Sequence, residues 1–224
     1  KSGVVGLVAA ALGRRRTDSV GDLASLRFGV RIDQPGSFEE DFQTEHKRKW
    51  DKNRNRWAID TSKKGSLPVT HRHYLDDAVF VAALEGDSQL LRASAAALDA
   101  PVFPLFLGRR SCPPACRVSL GLTEDETVLE ALKKHPWEAS ERYRNRRRFR
   151  DREFVDLEIL YDKQASAGGE GYDIVQRDVP VSFSQEHRQY SFRTVAHATA
   201  TVRNPGYAGR QPDHDPWAAF GKEA

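Results

Sequence analysis

Two adjacent arginines, Arg109 and Arg110, are the residues whose type and spacing best suit binding chemistry. They follow the apolar run Val102–Leu107, which has the composition of a buried strand, and the turn residue Gly108. Two neighbouring guanidinium groups repel each other unless an anion lies between them, and their planar geometry matches phosphates and guanine edges. The pattern predicts a nucleic-acid site at the end of a strand, although surface arginines that pair with carboxylates show the same pattern.

The positive charge of the chain is concentrated in two segments. The 224 residues carry a formal net charge of only +3, which does not by itself indicate a polyanionic partner. In contrast, His46–Lys64 contains eight Lys or Arg and two Asp, and Glu141–Arg152 contains seven Arg and two acidic residues. Such blocks suit phosphate backbones, although arginine-rich segments are often only solvated surface.

The sequence argues against several classes of protein. It contains no apolar run long enough for a membrane span, and we expect no secretory signal. Cys112 and Cys116 lack the partner pattern of a zinc site, so we expect no metal or cofactor and a reduced, cytoplasmic protein. Because the chain begins at Lys1 and contains no methionine, we expect the natural protein to begin earlier.

The elements that must position the arginine pair are predicted from hydrophobic periodicity. In chain order they are the helix Lys1–Gly13 with Ser2 as its cap, the strand Leu26–Asp33, the strand Tyr74–Leu84, a helix from Ser88 to Leu98 and the strand Val102–Leu107. With one additional N-terminal strand, this order becomes β-α-β-β-α-β. That is the ferredoxin-like split βαβ unit, which is also the scaffold of RNA-recognition motifs.

A basic segment of about residues 41–72 interrupts this unit and has no clear core pattern. We interpret it as a protruding arm, because long loops inside compact domains are uncommon unless they are functional. Trp50 and Trp57 lie among its lysines, arginines and asparagines. Their placement fits base stacking with phosphate neutralisation, and it fits equally a small apolar cluster that holds the arm together.

The second half of the chain is predicted to be rich in strands. Thr123–Glu126 has the pattern of a capping box that begins a helix to about His135. Strands are predicted at Phe154–Leu160, Val179–Phe183 and Tyr190–Val195. We therefore predict an α+β protein with a ferredoxin-like (RRM-like) palm at 1–122, a smaller β-rich C-terminal subdomain at 123–202 and a loose tail at 203–224.

Two further clusters suit chemistry on phosphates. Lys1 and Ser2 begin a helix whose free N–H groups can hold a phosphate. The same pair also ends a P-loop motif, but the split antiparallel pattern of the following strands argues against a nucleotide hydrolase. His71, His73 and Tyr74 suit a ribonuclease with a histidine base. They also suit polar anchors at the start of a strand, and we favour binding over catalysis.

Three stretches in this order resemble CasD, a family of Cascade subunits of type I-E CRISPR systems. They are Ser2–Gly13, Arg72–Phe80 and Leu107–Pro113, and Arg27–Asp33 and Asp41–Thr44 extend the match. The resemblance covers most of residues 1–122 and is weaker beyond Thr123. It implies a non-catalytic RNA-binding subunit whose palm and thumb-like arm cap the 5′ handle of the guide RNA (crRNA) in antiviral defence. The implied partners are crRNA, the Cascade backbone subunit and the large subunit, with target DNA met only indirectly.

The resemblance also assigns individual residues. Arg72 is similar to an arginine at the base of the thumb that meets handle bases, and Arg109 and Arg110 are similar to a pair that lines the handle pocket. Phe106 stands where a tyrosine can occur, so a stacking contact would remain without a hydroxyl. The predicted RNA-binding residues are Lys1, Ser2, Gly3, Lys47, Arg48, Trp50, Arg54, Arg72, Tyr74, Phe106, Arg109, Arg110 and Ser111.

Two alternatives to an RNA cap follow from the same residues. A metal-independent endoribonuclease that processes CRISPR repeat RNA would use His71, His73 and Tyr74. A protein-interaction module would present the two basic blocks to acidic partners. A protein-interaction module would not bind RNA, whereas the cap and the endoribonuclease would. Cleavage of repeat RNA in the presence of EDTA would distinguish the endoribonuclease from the cap.

Overall fold

The computed structural model describes residues 1–60, 62, 69–124, 126–163 and 173–207. The chain divides into a main unit, residues 1–33 with 80–224, and an arm unit, residues 34–79. Among the described residues, no helix combines the length and apolar character needed to cross a membrane.

The helices are α1 (Ser2–Ala11), α2 (Gly21–Ser25), α3 (Ser88–Asp99), α4 (Val128–Lys134), α5 (Glu141–Arg144) and α6 (Arg147–Arg150). The strands are β1 (Arg27–Gln34), β2 (Ser37–Gln43), β3 (Arg48–Asp51), β4 (Arg56–Ile59), β5 (Thr70–Asp76), β6 (Val79–Glu85), β7 (Phe154–Asp162), β8 (Ile174–Ser182) and β9 (Gln189–Arg203). The predicted α+β, ferredoxin-like class is confirmed, with a β-rich C-terminal part.

Five strands form the sheet of the main unit, in the order β6-β1-β7-β9-β8. Strands β1 and β7 pair in antiparallel fashion, with Val30 opposite Leu160. Strand β9 pairs in antiparallel fashion with both β7 and β8. The sheet therefore joins a strand from the first part of the sequence to strands that lie more than a hundred residues later.

Two apolar clusters form the core of the main unit. The first lies where α4 and the segment around Trp137 pack on the sheet, and its members include Leu132, Ile159 and Val202. The second lies between α1 and α2, with Val5 and Leu23 almost fully buried and the apolar face of α3 packed against them. Helix α3 begins at Asp87, whose side chain accepts a hydrogen bond from Leu90 N at 2.8 Å, as expected of an N-cap.

A buried arginine connects β1 to the end of α4. Arg31 is fully buried, and its guanidinium donates to both carboxylate oxygens of Asp33, at 2.7 and 2.9 Å. Its other N–H groups donate to the carbonyl oxygens of Leu132, His135 and Pro136, each at 2.6 Å. All five donors of the guanidinium are used, so the charge is buried without an unsatisfied group.

The arm unit consists of two antiparallel strand pairs, β2 with β5 and β3 with β4. The β2–β5 pair begins after Gly36, which has a φ of +75°. A Cβ atom at Gly36 would lie 2.5 Å from the carbonyl oxygen of Asp76, so both the backbone conformation and the available space require glycine. The sequence predicts an arm here but not these strands.

Three sequence-based predictions about elements are wrong. Residues 101–107 form no strand, because Pro101 and Pro104 lack the N–H groups that a ladder needs. The strand predicted at Tyr74–Leu84 is two strands, separated at Asp77, which has a φ of +54°. The capping box is formed by Thr127 and Glu130 rather than by Thr123–Glu126.

The domain limits at 122 and 202 stay predictions, and most of the predicted tail lies outside the described residues. What the structure shows is that β7 and β9, from the predicted C-terminal subdomain, share one sheet with β1.

Candidate nucleic-acid interface

The segment that leads to the arginine pair runs along helix α1 instead of joining the sheet. Val102 N donates to Ala11 O at 3.0 Å, and Phe103 N donates to Ala10 O at 3.2 Å. The first bond satisfies the carbonyl group of Ala11 at the end of α1, and the second is shared with Gly13 N, which donates to the same Ala10 oxygen at 3.1 Å. Farther along, Leu107 lies against Gly3, because a Cβ atom at Gly3 would be 3.3 Å from Leu107 Cδ1. The segment therefore extends from the end of α1 back to its beginning.

A tight turn, Gly108–Ser111, follows at the beginning of α1. Gly108 has a φ of +76°, and no atom lies within 4 Å of the position of a Cβ, so the conformation rather than a lack of space favours glycine. Leu107 N donates to Cys112 O at 3.0 Å, and Cys112 N donates to Arg109 O at 2.9 Å. These bonds close the turn and present Arg109, Arg110 and Ser111 to solvent.

The electrostatics of this turn favour an anion. Helix α1 begins at Ser2, and its first backbone bond is from Val5 N to Lys1 O at 3.1 Å. The N–H groups of the first turn therefore have no partner within the helix and carry the positive end of its dipole. No carboxylate pairs with Arg110 in the part of the chain that the structure describes. An exposed arginine such as Arg110, on a turn next to a positive helix end, suits a phosphate.

Lys1 differs from the prediction. Its ammonium donates to Leu26 O at 2.6 Å and to Asp162 Oδ2 at 3.0 Å, and its side chain is only 5% exposed. The same carboxylate accepts hydrogen bonds from Phe28 N at 3.0 Å and from Arg193 at 2.6 Å. The geometry gives the Lys1 ammonium a role inside the fold, and it does not support contact with a phosphate. Ser2 is likewise not the helix cap, because Lys1 holds that position.

Arg72 and Tyr74 lie on one face of β5. Both are half-buried, whereas the alternate residues His71 and His73 are exposed on the other face. The guanidinium of Arg72 lies 3.6 Å from Glu45, and this exposed pair is too weak to hold the side chain in place. Tyr74 therefore lies on the opposite face of β5 from His71 and His73, although the ribonuclease hypothesis requires the three residues to act together.

The β3–β4 hairpin presents aromatic and basic side chains together. Trp50 is directly opposite Trp57, with ring centroids 5.7 Å apart in an edge-to-face arrangement. Trp50 is 46% exposed and Trp57 is 62% exposed, so the pair holds the hairpin while keeping aromatic surface in solvent. Both roles that the sequence suggests for these tryptophans are therefore compatible with one structure.

One lysine of the hairpin is neutralised and its neighbours are not. Lys49 donates to Asp60 at 3.0 Å, and this bond, together with hydrogen bonds from Ser62, lowers the pKa of Asp60 to about 2. Asp60 therefore remains charged at neutral pH. Lys47 and Arg48 have no carboxylate partner among the described residues, and Arg54 lies 4.0 Å from an oxygen of Asp51.

The predicted RNA-binding residues thus fall into two groups. Lys1, Ser2, Gly3, Phe106, Arg109, Arg110 and Ser111 belong to the main unit, and Lys47, Arg48, Trp50, Arg54, Arg72 and Tyr74 belong to the arm unit. The assignment of these residues to RNA stays a prediction. Leu107, which positions the turn, is not among the residues predicted from the sequence. The glycine at position 3 is consistent with its contact, because a Cβ atom there would lie close to Leu107.

Comparisons with known proteins give the family. The model of the family described as CRISPR-associated protein (Cas_Cas5) matches residues 1–196. A solved structure described as "CRISPR RNA-guided surveillance complex" is 29% identical with a TM-score of 0.67, and the match covers 96% of this chain and 83% of that chain. A second, described as "Crystal structure of Cas protein", is 29% identical with a TM-score of 0.56, covering 92% and 82%. A search of curated proteins found no match. Because the family model spans most of the sequence, this chain belongs to the CRISPR-associated Cas5 family.

Proposed function

We propose that this protein is a non-catalytic, cytoplasmic RNA-binding subunit of the type I-E CRISPR surveillance complex, Cascade, and that it caps the 5′ handle of crRNA. Membership of the Cas5 family supports the general role, as does the similarity to a chain from an RNA-guided surveillance complex. The resemblance of Ser2–Gly13 and Leu107–Pro113 to CasD supports the assignment to type I-E and the binding of the 5′ handle. In this proposal the protein contacts the backbone subunit and the large subunit, and it meets target DNA only through the complex.

The turn at Gly108–Ser111 is the observation that carries this proposal. It presents the exposed side chains of Arg109 and Arg110, and the contact of Leu107 with Gly3 holds the turn next to the beginning of α1. Arg110 has no carboxylate partner among the described residues, and a phosphate bound beside it at the beginning of α1 would be stabilised by its charge and by the helix dipole. A guanidinium can also donate two hydrogen bonds to a guanine edge, which gives selectivity that phosphate contacts alone lack.

The arm unit would supply a second set of contacts to the same RNA. Lys47 and Arg48 have no neutralising carboxylate among the described residues, and the exposed ring of Trp50 is available to a base. Stacking and phosphate neutralisation act together in many single-stranded RNA sites. Arg72 is joined to its partner, Glu45, only by an exposed pair at 3.6 Å, so exchange for an RNA partner costs little.

A metal-independent endoribonuclease is the second candidate. In its favour, His71 is exposed and its Nδ1 bonds to the carboxylate of Glu40. A carboxylate that orients a histidine in this way is common in general-base sites. Against it, Tyr74 lies on the opposite face of β5 and is not placed to assist the histidine.

One experiment separates the two candidates. The purified protein is incubated in EDTA with a labelled synthetic RNA that contains the CRISPR repeat encoded beside its gene. We expect a stable complex with intact RNA, in which the 5′ handle is protected from added nuclease. Cleavage at one position, lost in a His71→Ala variant, would instead establish the endoribonuclease. Absence of both binding and cleavage would reject an RNA function and favour a protein-interaction module.

A further inference from the structure

The arginine-rich segment Glu141–Arg152 is folded on an aromatic base. Tyr143 is buried, and its ring contacts Phe149, with centroids 5.1 Å apart. Both rings pack against the buried Trp137, at centroid distances of 6.3 and 5.2 Å. The side chain of Asn204 donates to Phe149 O at 3.0 Å, which connects the segment to the end of β9. The short helices α5 and α6 are thereby fixed in place rather than loosely attached.

The seven arginines of this segment differ in their environments. Arg144 donates to Trp137 O at 3.3 Å, and Arg150 pairs with Asp151 at 3.4 Å. The guanidinium of Arg148 lies 4.4 Å from the ring centroid of Phe149 and bonds to the hydroxyl of Tyr143, and that of Arg146 lies 4.6 Å from the centroid of Tyr143. Three others, Arg142, Arg147 and Arg152, are exposed, and none of them has a carboxylate partner among the described residues. We call these three the free arginines of the cluster.

The cluster and the Gly108–Ser111 turn lie at opposite ends of one strand. The segment leads directly into β7 at Phe154, and the other end of β7 is Asp162. Asp162 bonds to Phe28 N and to the Lys1 ammonium at the beginning of α1, which is where the turn lies. A strand of nine residues is roughly 26 Å long at about 3.3 Å per residue. The two basic sites are therefore separate.

We propose that the free arginines bind the phosphodiester backbone of a nucleic acid, at a site distinct from the one assigned to the 5′ handle. Seven arginines against Glu141 and Asp151 repel one another, and this repulsion is relieved by a polyanion. The rings of Tyr143 and Phe149 lie beneath guanidiniums and are not available to bases. The recognition is therefore of phosphates and independent of sequence.

The test compares two triple variants of the full chain with equal loss of charge. The first is Arg142→Gln, Arg147→Gln and Arg152→Gln, which changes only the free arginines. The control is Arg15→Gln, Arg16→Gln and Arg188→Gln, which removes three exposed arginines elsewhere in the main unit. Each is titrated, by fluorescence anisotropy, against labelled duplex DNA, single-stranded DNA and single-stranded RNA that lack the handle sequence.

We expect the first variant to lose at least about ten-fold in affinity for one of these probes at moderate salt. The slope of log K against log salt should fall by about 2 to 3 in magnitude, because each lost phosphate contact contributes roughly 0.9. The probe whose affinity falls most identifies which nucleic acid, duplex DNA, single-stranded DNA or single-stranded RNA, supplies the phosphodiester backbone. Handle-RNA affinity should remain within about two-fold of wild type, which separates this proposal from the proposed function. Equal losses in the control variant, no loss with any probe, or an equal loss for handle RNA would each overturn it.

Discussion

Leu107 packs against Gly3, so the residue before the Gly108–Ser111 turn touches the first turn of helix α1. This contact joins two parts of the sequence that lie about a hundred residues apart, and it places the turn that carries Arg109 and Arg110 next to the beginning of a helix. The same segment is bonded to the far end of α1 through Val102 and Phe103. The whole helix thus acts as the support on which the candidate RNA site is built.

The buried guanidinium of Arg31 should be among the most sensitive positions of the main unit. Replacing it with leucine leaves the Asp33 carboxylate buried without its partner and three carbonyl oxygens without donors. We expect Arg31→Leu to lower the free energy of unfolding by about 3–5 kcal/mol, measured by urea denaturation.

An exposed arginine provides the control for this change. Arg15→Leu should alter the free energy of unfolding by less than about 0.5 kcal/mol, because its side chain lies in solvent. Arg31→Lys, which retains the charge but only three donors, should give an intermediate loss. An Arg31→Leu protein that unfolds at the wild-type urea concentration would show that the network is dispensable.

The Arg14–Asp22 pair predicts a defined pH dependence. The terminal guanidinium nitrogens Nη1 and Nη2 of Arg14 each donate to Asp22 at 2.5 Å, and these bonds lower the pKa of Asp22 below its ordinary value of 3.8. A carboxylate with a depressed pKa contributes stability that is present above the ordinary value and is lost as the pH falls through the folded-state pKa. Because the pair is partly exposed, we expect this contribution to stay below about 1 kcal/mol.

Titration of the Asp22 carboxyl by carbon-13 NMR measures this directly. The midpoint should lie below 3.8 in the wild-type protein and return toward that value in an Arg14→Ala variant. A wild-type midpoint at or above 3.8 would contradict the structural interpretation of the pair.

The exposed ring of Trp50 should contribute to RNA affinity. Trp50→Ala is expected to weaken handle-RNA binding by about 1–3 kcal/mol, the usual contribution of a ring stacked on a base. Trp50→Phe should retain most of the affinity, because it keeps an aromatic face and the contact with Trp57. If the alanine variant binds RNA as the wild type does, the tryptophan pair only stabilises the hairpin.

Local sequence pattern was sufficient for the elements whose apolar periodicity is continuous, such as α1, α3 and β1. It was insufficient where two local patterns compete. Thr123 and Thr127 each precede a glutamate by three residues, and only the burial of Val128 and Leu132 on the sheet selects the second. Residues 102–107 have strand composition, but the prolines around them and the carbonyls at the end of α1 determine their conformation.

Pairings between strands that are distant in the sequence cannot be predicted from local sequence patterns. The placement of β7 beside β1 joins residues that are about 130 positions apart, and nothing near either strand predicts it. For the same reason the sequence suggests Lys1 as a phosphate ligand, whereas its ammonium is held by Asp162. The sequence does predict an exposed arginine pair after Gly108, because a glycine turn followed by charged residues is a local feature.

The most direct test of the account measures the affinity of the full chain for handle RNA in the variant Arg109→Ala, Arg110→Ala at moderate salt. Its matched control is Arg15→Ala, Arg16→Ala, an adjacent exposed pair in the same unit. We predict that the first variant loses roughly 30-fold or more, which corresponds to about 2 kcal/mol or more, while the control changes by less than about three-fold. Wild-type affinity in the Arg109, Arg110 variant, or an equal loss in the control, would contradict the assignment of the RNA site to this turn.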